Sequence, residues 1–256
     1  MARKYQAPAV GKAFEILQLI SKSIDGLGLS DLANALEMSK GTVHGVASAL
    51  EELGAILRDP RTRKFTLGLT LFELGRRAYS QIDLKDLARP ILEELNEKTG
   101  ETTYIGVLNG RRITILDVVD SRHDLNITSP KGSRIPLFAG AAGKVILASM
   151  EEERCREMIM ENEIPQFTEN SITDPQRYIE EIKQARQMGY ATDYEEYLSG
   201  VWAVASPIRG WKQVPSAIWV VGFKTGQNEE GMETLIRNTK HAAEEISQKV
   251  ECQRTI

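Results

Sequence analysis

The chain has 256 residues, 41% of them hydrophobic and 27% charged, which is typical of a globular protein with one large or two moderate domains. It has no uninterrupted apolar run of about 18 residues, and its N-terminus, MARKYQAPAVGKAF, lacks the apolar segment of a secretory signal, so we expect a cytoplasmic protein. The two cysteines form no CxxC pair and the three histidines have no metal-ligand spacing. We therefore expect no disulfide framework, no metal site and no cofactor.

The charge is divided unevenly along the chain. Residues 1–80 contain 11 Lys and Arg against 8 Asp and Glu, a net charge of +3, whereas the net charge of the whole chain is −4. A basic N-terminal module is thus joined to an acidic body. Local cations are sufficient for DNA affinity, because binding depends on counterion release at the contacts and not on total charge.

Residues 10–53 have the apolar periodicity of three short helices. Val10, Phe14, Leu17 and Ile20 predict a first helix whose apolar face covers the next two, and Gly26 follows its end. Ser30 is the predicted N-cap of the second helix, and a turn over residues 37–39 leads to the third. The predicted inner faces of the second and third helices consist of Leu32, Ala33, Leu36, Val43, Val46, Ala47 and Leu50.

The other face of the third helix is small and polar, so it can enter a major groove and reach base edges or phosphates. We predict DNA contacts there from Ser39, Lys40, Thr42, His44 and Ser48. The alternative is an ordinary helix pair inside a larger helical core. Two predicted short strands, 55–58 and 64–67, favour a winged helix-turn-helix. The Asp and Pro of a turn lie between them, and four predicted phosphate contacts surround this hairpin: Arg58, Arg61, Arg63 and Lys64.

After the wing, Leu69, Phe72, Leu74 and Ala78 predict an amphipathic linker helix. We expect a DNA-binding domain over residues 1–68, the linker helix over 69–82, and an effector-binding and oligomerisation domain over 83–256. One recognition helix reads too few bases, which favours a homodimer or a dimer of dimers on double-stranded operator DNA. The apolar face of the linker helix is the candidate contact.

The remaining residues predict an α+β body with a mainly antiparallel sheet. Strands are expected at 102–108 and 112–119, joined by a hairpin at Asn109-Gly110, and again at 202–208 and 216–223. Helices are expected at 83–98, 151–162, 175–188 and 229–250. Pro90 is expected to interrupt the first of these helices or to begin a new one, and Thr99-Gly100 to end it.

The chain resembles the IclR family of transcriptional regulators over essentially its whole length. Residues 132–148, GSRIPLFAGAAGKVILA, are similar to a family segment of the form G-x-x-x-PLHA-x-x-x-GKA-x-LA. Residues 189–208 are similar to a second one, GY-x-x-D-x-EE-x-x-x-G followed by A-x-PI. The resemblance implies an N-terminal winged helix-turn-helix and a C-terminal GAF-like effector domain, assembled as a dimer or a dimer of dimers.

The chain departs from the family pattern at three positions. Gly45 and Gly41 stand in the recognition helix where the family often has Arg and Ser, so one DNA contact is expected to be missing and specificity to depend more on the wing. Each Gly also weakens a helix by about 1 kcal/mol relative to Ala. Phe138 replaces the usual His before the effector loop, which removes a titratable group there.

The stretch 139–144, AGAAGK, has no side chain that shields the backbone where a helix is predicted to begin. Free N–H groups of Gly140, Ala141 and Ala142 can bind a carboxylate there; the alternative is that small residues only allow close helix–sheet packing. A nucleotide-binding P-loop is excluded because Phe138 and Val145 occupy motif positions. The resemblance implies that the same cavity is lined by Asp193, Val201, Ala203, Trp219 and Val221, with Trp202 adjacent.

Trp219 and Val221 stand where family members that bind two- or three-carbon acids have small hydroxyl side chains, so we expect a carboxylate effector with an apolar or aromatic body. Buried tryptophans are equally explained as core. A rival class is an enzyme using Asp193, Glu195 and Glu196, but no partnered His or nucleophile accompanies them. An RNA-binding function has no aromatic RNA-binding motif to support it. We therefore predict a DNA-binding regulator and not an enzyme.

Overall fold

The protein is described from a computed structural model that covers residues 7–80, 83–124, 126–224 and 229–254. The chain folds into two compact units, Met1–Ile82 and Asp83–Ile256. Within the described residues, no helix is long and apolar enough to cross a membrane.

The first unit contains three helices, a two-stranded sheet and a fourth helix: α1 (Pro8–Ile20), α2 (Leu29–Ala35), α3 (Lys40–Glu52), β1 (Ile56–Arg58), β2 (Phe65–Leu67) and α4 (Leu69–Ser80). The strands pair antiparallel, with Arg58 opposite Phe65. Both α1 and α2 pack against α3. Their core includes Ile16, Ile20, Leu32, Ala33, Val43, Ala47, Leu50, Ile56 and Phe65. This is a winged helix-turn-helix, as the sequence predicted.

Two local predictions for this unit are wrong. Val10 and Phe14 are 57% and 60% exposed, and the buried positions of α1 are Ile16 and Ile20. The inward face is therefore rotated from the predicted one, since the apolar residues of α1 surround most of the helix. Ser30 lies inside α2, which begins one residue earlier.

The N-cap of α2 is Gly28. Its backbone N–H donates to Asp31 Oδ2 at 3.0 Å, so a carboxylate in the first turn closes this helix end. A glycine at the N-cap is compatible with this arrangement, because the side chain three residues later supplies the acceptor.

Helix α4 follows the wing directly, and most of its apolar side chains face solvent. Leu69 and Phe72 are 73% and 67% exposed, and Leu74 is also exposed, while Leu71 packs against the core of the first unit. Residues 81 and 82 of the predicted linker lie outside the described residues. The amphipathic pattern of α4 is thus not explained by burial within this unit.

The second unit begins with α5 (Asp83–Thr99). It continues with β3 (Thr102–Asn109), β4 (Arg112–Val119), β5 (Arg134–Pro136), α6 (Gly140–Ala148), α7 (Glu152–Met160), α8 (Pro175–Met188), β6 (Ala191–Tyr194), β7 (Val201–Ile208), β8 (Ser216–Phe223) and α9 (Glu229–Arg254). The six strands form one antiparallel sheet in the order β5-β4-β3-β8-β7-β6. The predicted α+β class is confirmed.

The helices cover the sheet on both faces. Side chains of α6, α7 and α8 share a core with Tyr104, Ala203, Ala205 and Trp219 of the sheet. The neighbouring residue Thr103 points the other way, where its hydroxyl donates to the carbonyl of Leu92 in α5 at 3.1 Å. Helix α9 packs against α5, β7 and β8. The first of these two faces contains the cavity described below.

Two further predictions are corrected by the second unit. Pro90 lies inside one continuous helix and neither breaks nor restarts it. It is exposed, so water can hydrate the carbonyl that its missing N–H leaves free. In the β3–β4 hairpin, Asn109 pairs with Arg112, and the two-residue loop is Gly110-Arg111. Gly110 has φ +63°, which places the turn one residue later than predicted.

Candidate functional site

The outer face of α3 carries the side chains predicted to contact DNA. Lys40, His44 and Ser48 are exposed, and their spacing of four residues places them along one side of the helix. Ser39 is the N-cap, and its Oγ accepts the N–H of Thr42 at 3.1 Å. Ser39 therefore stabilises the start of the helix, while the three exposed side chains do not cap it, although Ser48 Oγ lies 3.4 Å from His44 Nδ1.

The wing is held by Asp59 and presents two exposed arginines. The Asp59 carboxylate accepts the backbone N–H groups of Thr62 at 2.6 Å and Arg61 at 2.9 Å, and the Thr62 bond is the main cause of its lowered pKa. The side chains of Arg61 and Arg63 are exposed and Lys64 is half-buried. Because the Asp59 carboxylate and backbone N–H groups hold the turn, the arginine side chains are free to contact a partner.

Arg58 differs from the other three wing cations. It is half-buried, and its guanidinium carbon lies 5.4 Å from the centroid of the Phe65 ring on the paired strand. Its Nε is buried and has no hydrogen-bond partner. Arg58 thus contributes to the packing of the wing, unlike the exposed cations of the turn.

A cavity of about 170 Å³ lies between the α6 side of the sheet and the start of α6. All eight residues that the sequence predicted to bind an effector line this one cavity. The further lining residues were not predicted, and they are Tyr104, Ile115, Ile127, Thr128, Ser129, Ile135, Ala139, Tyr197 and Leu198. The structure therefore brings together the start of α6 and strands β6, β7 and β8, as the resemblance implied.

The start of α6 shows why its residues are small. Gly140 has φ +54°, and a Cβ there would overlap Asp193 Oδ2. A Cβ on Gly143 would overlap the carbonyl oxygen of Leu137. Close packing thus explains the two glycines, and Gly140 lines the cavity together with Ala141 and Ala142. No side chain caps this helix end, because its N-cap is Ala139.

A buried ionic cluster lies behind this helix end. Lys144 is 2% exposed, and its Nζ donates to Glu196 Oε1 at 2.6 Å, Glu181 Oε2 at 3.1 Å and the carbonyl of Thr192 at 3.1 Å. Burial raises the pKa of Glu196, an effect that Lys144 partly offsets. Asp193 and Glu196 lie close together in this cluster. The turn after β6 brings them together, with Asp193 Oδ1 accepting the N–H of Glu196 at 2.6 Å.

The opposite wall of the cavity is aromatic. Trp219 on β8 stacks on Tyr104 of β3, with ring centroids 5.4 Å apart and planes 12° from parallel. The hydroxyl of Tyr104 donates to the carbonyl of Ile127 at 2.7 Å, and burial raises its pKa to about 12. Tyr104 and Trp219 are register partners. The contact could have been predicted only from the β3–β8 pairing, and this pairing joins strands more than 100 residues apart in the sequence.

Two aromatic residues near the predicted site have structural roles. Trp202 donates from Nε1 to the carbonyl of Phe223 at 2.8 Å and is buried, but it does not line the cavity. Phe138 also lies outside the lining and packs edge-on against Tyr178, with centroids 5.7 Å apart. Of the two alternatives for the tryptophans, a core role holds for Trp202, while Trp219 lines the cavity.

The fold and the cavity define a class of protein, a transcriptional regulator with a helix-turn-helix unit and a separate ligand-binding unit. Residues 9–60 match the model of the IclR helix-turn-helix domain, and residues 76–248 match that of the bacterial transcriptional regulator IclR C-terminal domain. The chain belongs to the IclR family. Its relatives are transcriptional regulators and not enzymes.

Individual relatives extend over most of the chain. The HTH-type transcriptional regulator KdgR of Escherichia coli K12 is 31% identical over 240 residues, which cover 93% of this chain and 91% of that protein. The crystal structure of Thermotoga maritima IclR is 30% identical with a TM-score of 0.69, covering 96% and 99% of the two chains. An IclR homologue from Microbacterium hydrocarbonoxydans, in complex with 4-hydroxybenzoate, has a TM-score of 0.77 at 21% identity, covering 95% of this chain and 99% of that chain; this likeness shows a shared fold alone.

Proposed function

We propose that a small carboxylate with an apolar or aromatic body binds in the cavity and controls the affinity of this regulator for its operator DNA. The observation that carries the proposal is the uncapped start of α6 opening into a cavity whose far wall is the Trp219–Tyr104 stack. Backbone N–H groups at a helix start favour an anion, while the indole favours an apolar body.

The size of the cavity restricts the ligand further. Its volume of about 170 Å³ is below the roughly 300–1,000 Å³ typical of pockets for drug-sized molecules. This volume favours an acid smaller than a drug-sized molecule. The related structure with 4-hydroxybenzoate supplies a compound of this class to test first.

The proposal also includes DNA binding by the first unit. The contacts come from the polar side of α3 and from the tip of the wing. The side chains assigned to the major groove are Lys40, Thr42, His44 and Ser48. Arg61, Arg63 and Lys64 are assigned to phosphates, with a smaller part for Arg58 because it stacks on Phe65. Such a division between groove and backbone contacts is usual for helix-turn-helix proteins.

The proposed regulator acts as a homodimer or a dimer of dimers. The exposed apolar side chains of α4, Leu69, Phe72 and Leu74, support this assembly, because they are not buried within their own unit. Sedimentation at micromolar concentration should give a mass of at least two chains. A monomer that retained full operator affinity would contradict it.

The effector site is tested by placing a fixed charge in it. Ala142→Asp puts a carboxylate in the first turn of α6, beside the proposed position of the ligand anion, and should weaken binding of 4-hydroxybenzoate and related acids at least 100-fold in calorimetry. Ala142→Asn is the matched control, since it adds the same volume without the charge, and should bind more tightly than Ala142→Asp. If Ala142→Asp binds these acids as tightly as the unmodified protein, the anion site is wrong.

The regulatory part is tested by linkage. An effector changes operator affinity only if it prefers one state of the protein, so DNA must change effector affinity by the same factor. DNA upstream of the protein's own operon is the first fragment to use in a gel shift. An acid that binds the cavity without altering the DNA affinity would contradict the regulatory role but leave the site intact.

A further inference from the structure

The cavity has an unusual charge for a site that takes an anion. Among the described residues that line it there is no Lys, Arg or His, and Asp193 is the one charged side chain. Asp193 is 5% exposed. Its Oδ1 accepts the N–H of Glu196, while its Oδ2 lies against Gly140, the first residue of α6. The carboxylate of Asp193 thus lies beside the N–H groups proposed for the ligand.

The buried cation next to Asp193 is already paired, and the exposed Arg112 of β4 acts on Tyr197 of the cavity lining. Lys144 of α6 already pairs with Glu181 of α8 and with Glu196. Tyr178 of α8 faces the same cluster as a buried neutral hydroxyl, and burial raises its pKa further. Across the cavity, the hydroxyl of Tyr104 on β3 donates to a backbone carbonyl. The ionic cluster around Asp193 thus contains one cation and three carboxylates before any ligand enters.

Resting on the function proposed above, we propose that a carboxylate effector binds together with one proton, held between Asp193 Oδ2 and the carboxylate of the effector. One effector oxygen accepts N–H groups of the first turn of α6, and the other accepts the O–H of protonated Asp193. The proton comes from solvent, so complex formation takes up one proton and breaks no other bond. Asp193 then recognises the acid as a donor instead of repelling it.

The burial of Asp193 supports this arrangement. It raises the pKa of this carboxyl, while the N–H groups of Glu196 and Tyr197 and the charge of Lys144 oppose the shift. A second carboxylate at the same helix start raises that pKa further, as in pairs of acids that share a proton. Above the pKa of Asp193 in the free protein, each pH unit lowers the protonated fraction tenfold. The dissociation constant of the acid should therefore rise about tenfold per pH unit there and level off below it.

The test is isothermal titration calorimetry of the full chain with benzoate, 4-hydroxybenzoate and pyruvate at several pH values, each in two buffers of different ionisation enthalpy. The tightest acid should bind with uptake of about one proton at pH 8. Asp193→Asn keeps an oxygen for the N–H of Glu196 and offers an N–H where the protonated acid had an O–H. This variant should bind the acid without proton uptake and with a nearly constant affinity between pH 6 and 8.

Glu195→Gln is the matched control. Its carboxylate pairs with Lys224 at 2.6 Å and does not line the cavity, so this variant should retain the proton uptake of the unmodified protein. Loss of the uptake in Glu195→Gln would overturn the assignment to Asp193.

Binding of an acid to the unmodified protein without proton uptake would overturn the proposal and leave the proposed effector class intact. Absence of binding by all three acids would overturn both. If Asp193→Asn does not fold, the proton count of the unmodified protein in the two buffers decides alone.

Discussion

The two units place their candidate functional residues in opposite environments. In the first unit, the side chains assigned to DNA lie on the surface, as with Lys40, His44 and Arg61, and the core is apolar. In the second unit, all the assigned residues except the partly buried Val221 are buried, and Asp193 and Lys144 belong to one ionic cluster. A site on the surface can change without altering the fold, whereas a buried polar site also contributes to stability.

The chain offers a convenient way to observe this difference. Its three tryptophans, Trp202, Trp211 and Trp219, all lie in the second unit. Tryptophan fluorescence therefore follows unfolding of the effector unit alone, while far-ultraviolet circular dichroism reports both units. The first prediction below uses this separation.

The largest effect on stability is expected when the buried cation is removed. Lys144→Met leaves Glu196 and Glu181 close together without a counter-charge, and removing one partner from a buried ion pair typically costs about 3–5 kcal/mol. Since Glu181 is partly exposed, we expect about 3 kcal/mol of lost unfolding free energy, measured by urea denaturation followed by tryptophan fluorescence.

Lys40→Met is the matched control in the first unit. Its side chain is exposed, so stability should change by less than about 0.5 kcal/mol while DNA affinity falls. Adding Glu196→Met to Lys144→Met should recover part of the lost stability. Equal stability of Lys144→Met and the unmodified protein would contradict the structural role of the cluster.

The next effect concerns DNA binding without a change of fold. The double variant Arg61→Gln, Arg63→Gln should reduce the slope of log affinity against log salt concentration by about 2, roughly one for each lost phosphate contact. Its unfolding should remain unchanged, because Asp59 and the backbone hold the turn. Arg154→Gln, Arg156→Gln removes the same charge from exposed positions of α7 and should leave the slope intact. Equal slopes for the two double variants would contradict the wing assignment.

The smallest effect compares one glycine in each unit. No atom lies within 4 Å of a Cβ built on Gly45 in α3, so Gly45→Ala should stabilise the first unit by up to about 1 kcal/mol. Gly140→Ala should destabilise the second unit by at least about 1 kcal/mol, since the left-handed backbone there disfavours a side chain and Asp193 occupies the space. Calorimetric melting measures both. A stabilising Gly140→Ala would show that the close packing at the start of α6 is described wrongly.

The periodicity of the chain predicted the helices and strands well because it depends on local spacing. The inward positions of α3 follow directly from the spacing of Val43, Ala47 and Leu50. The α1 prediction was wrong because this helix has apolar residues on most sides, so spacing alone did not select Ile16 over Phe14. Capping was mispredicted for a similar reason: both Ser30 and Asp31 are suitable capping residues, and only the backbone geometry shows that Asp31 accepts the N–H of Gly28.

The amino-acid sequence by itself determined the class of the protein, the order of most of its elements and eight of the residues that line the cavity, since the motifs around Gly140 and Asp193 are local. Tertiary structure alone decided which side chains meet across the cavity. The stack of Trp219 on Tyr104 requires the pairing of β3 with β8, and the convergence of Lys144, Asp193 and Glu196 requires α6 to pack beside β6. Such contacts join residues about 50 to 115 positions apart, and no local periodicity encodes them because they arise only when the whole sheet has formed.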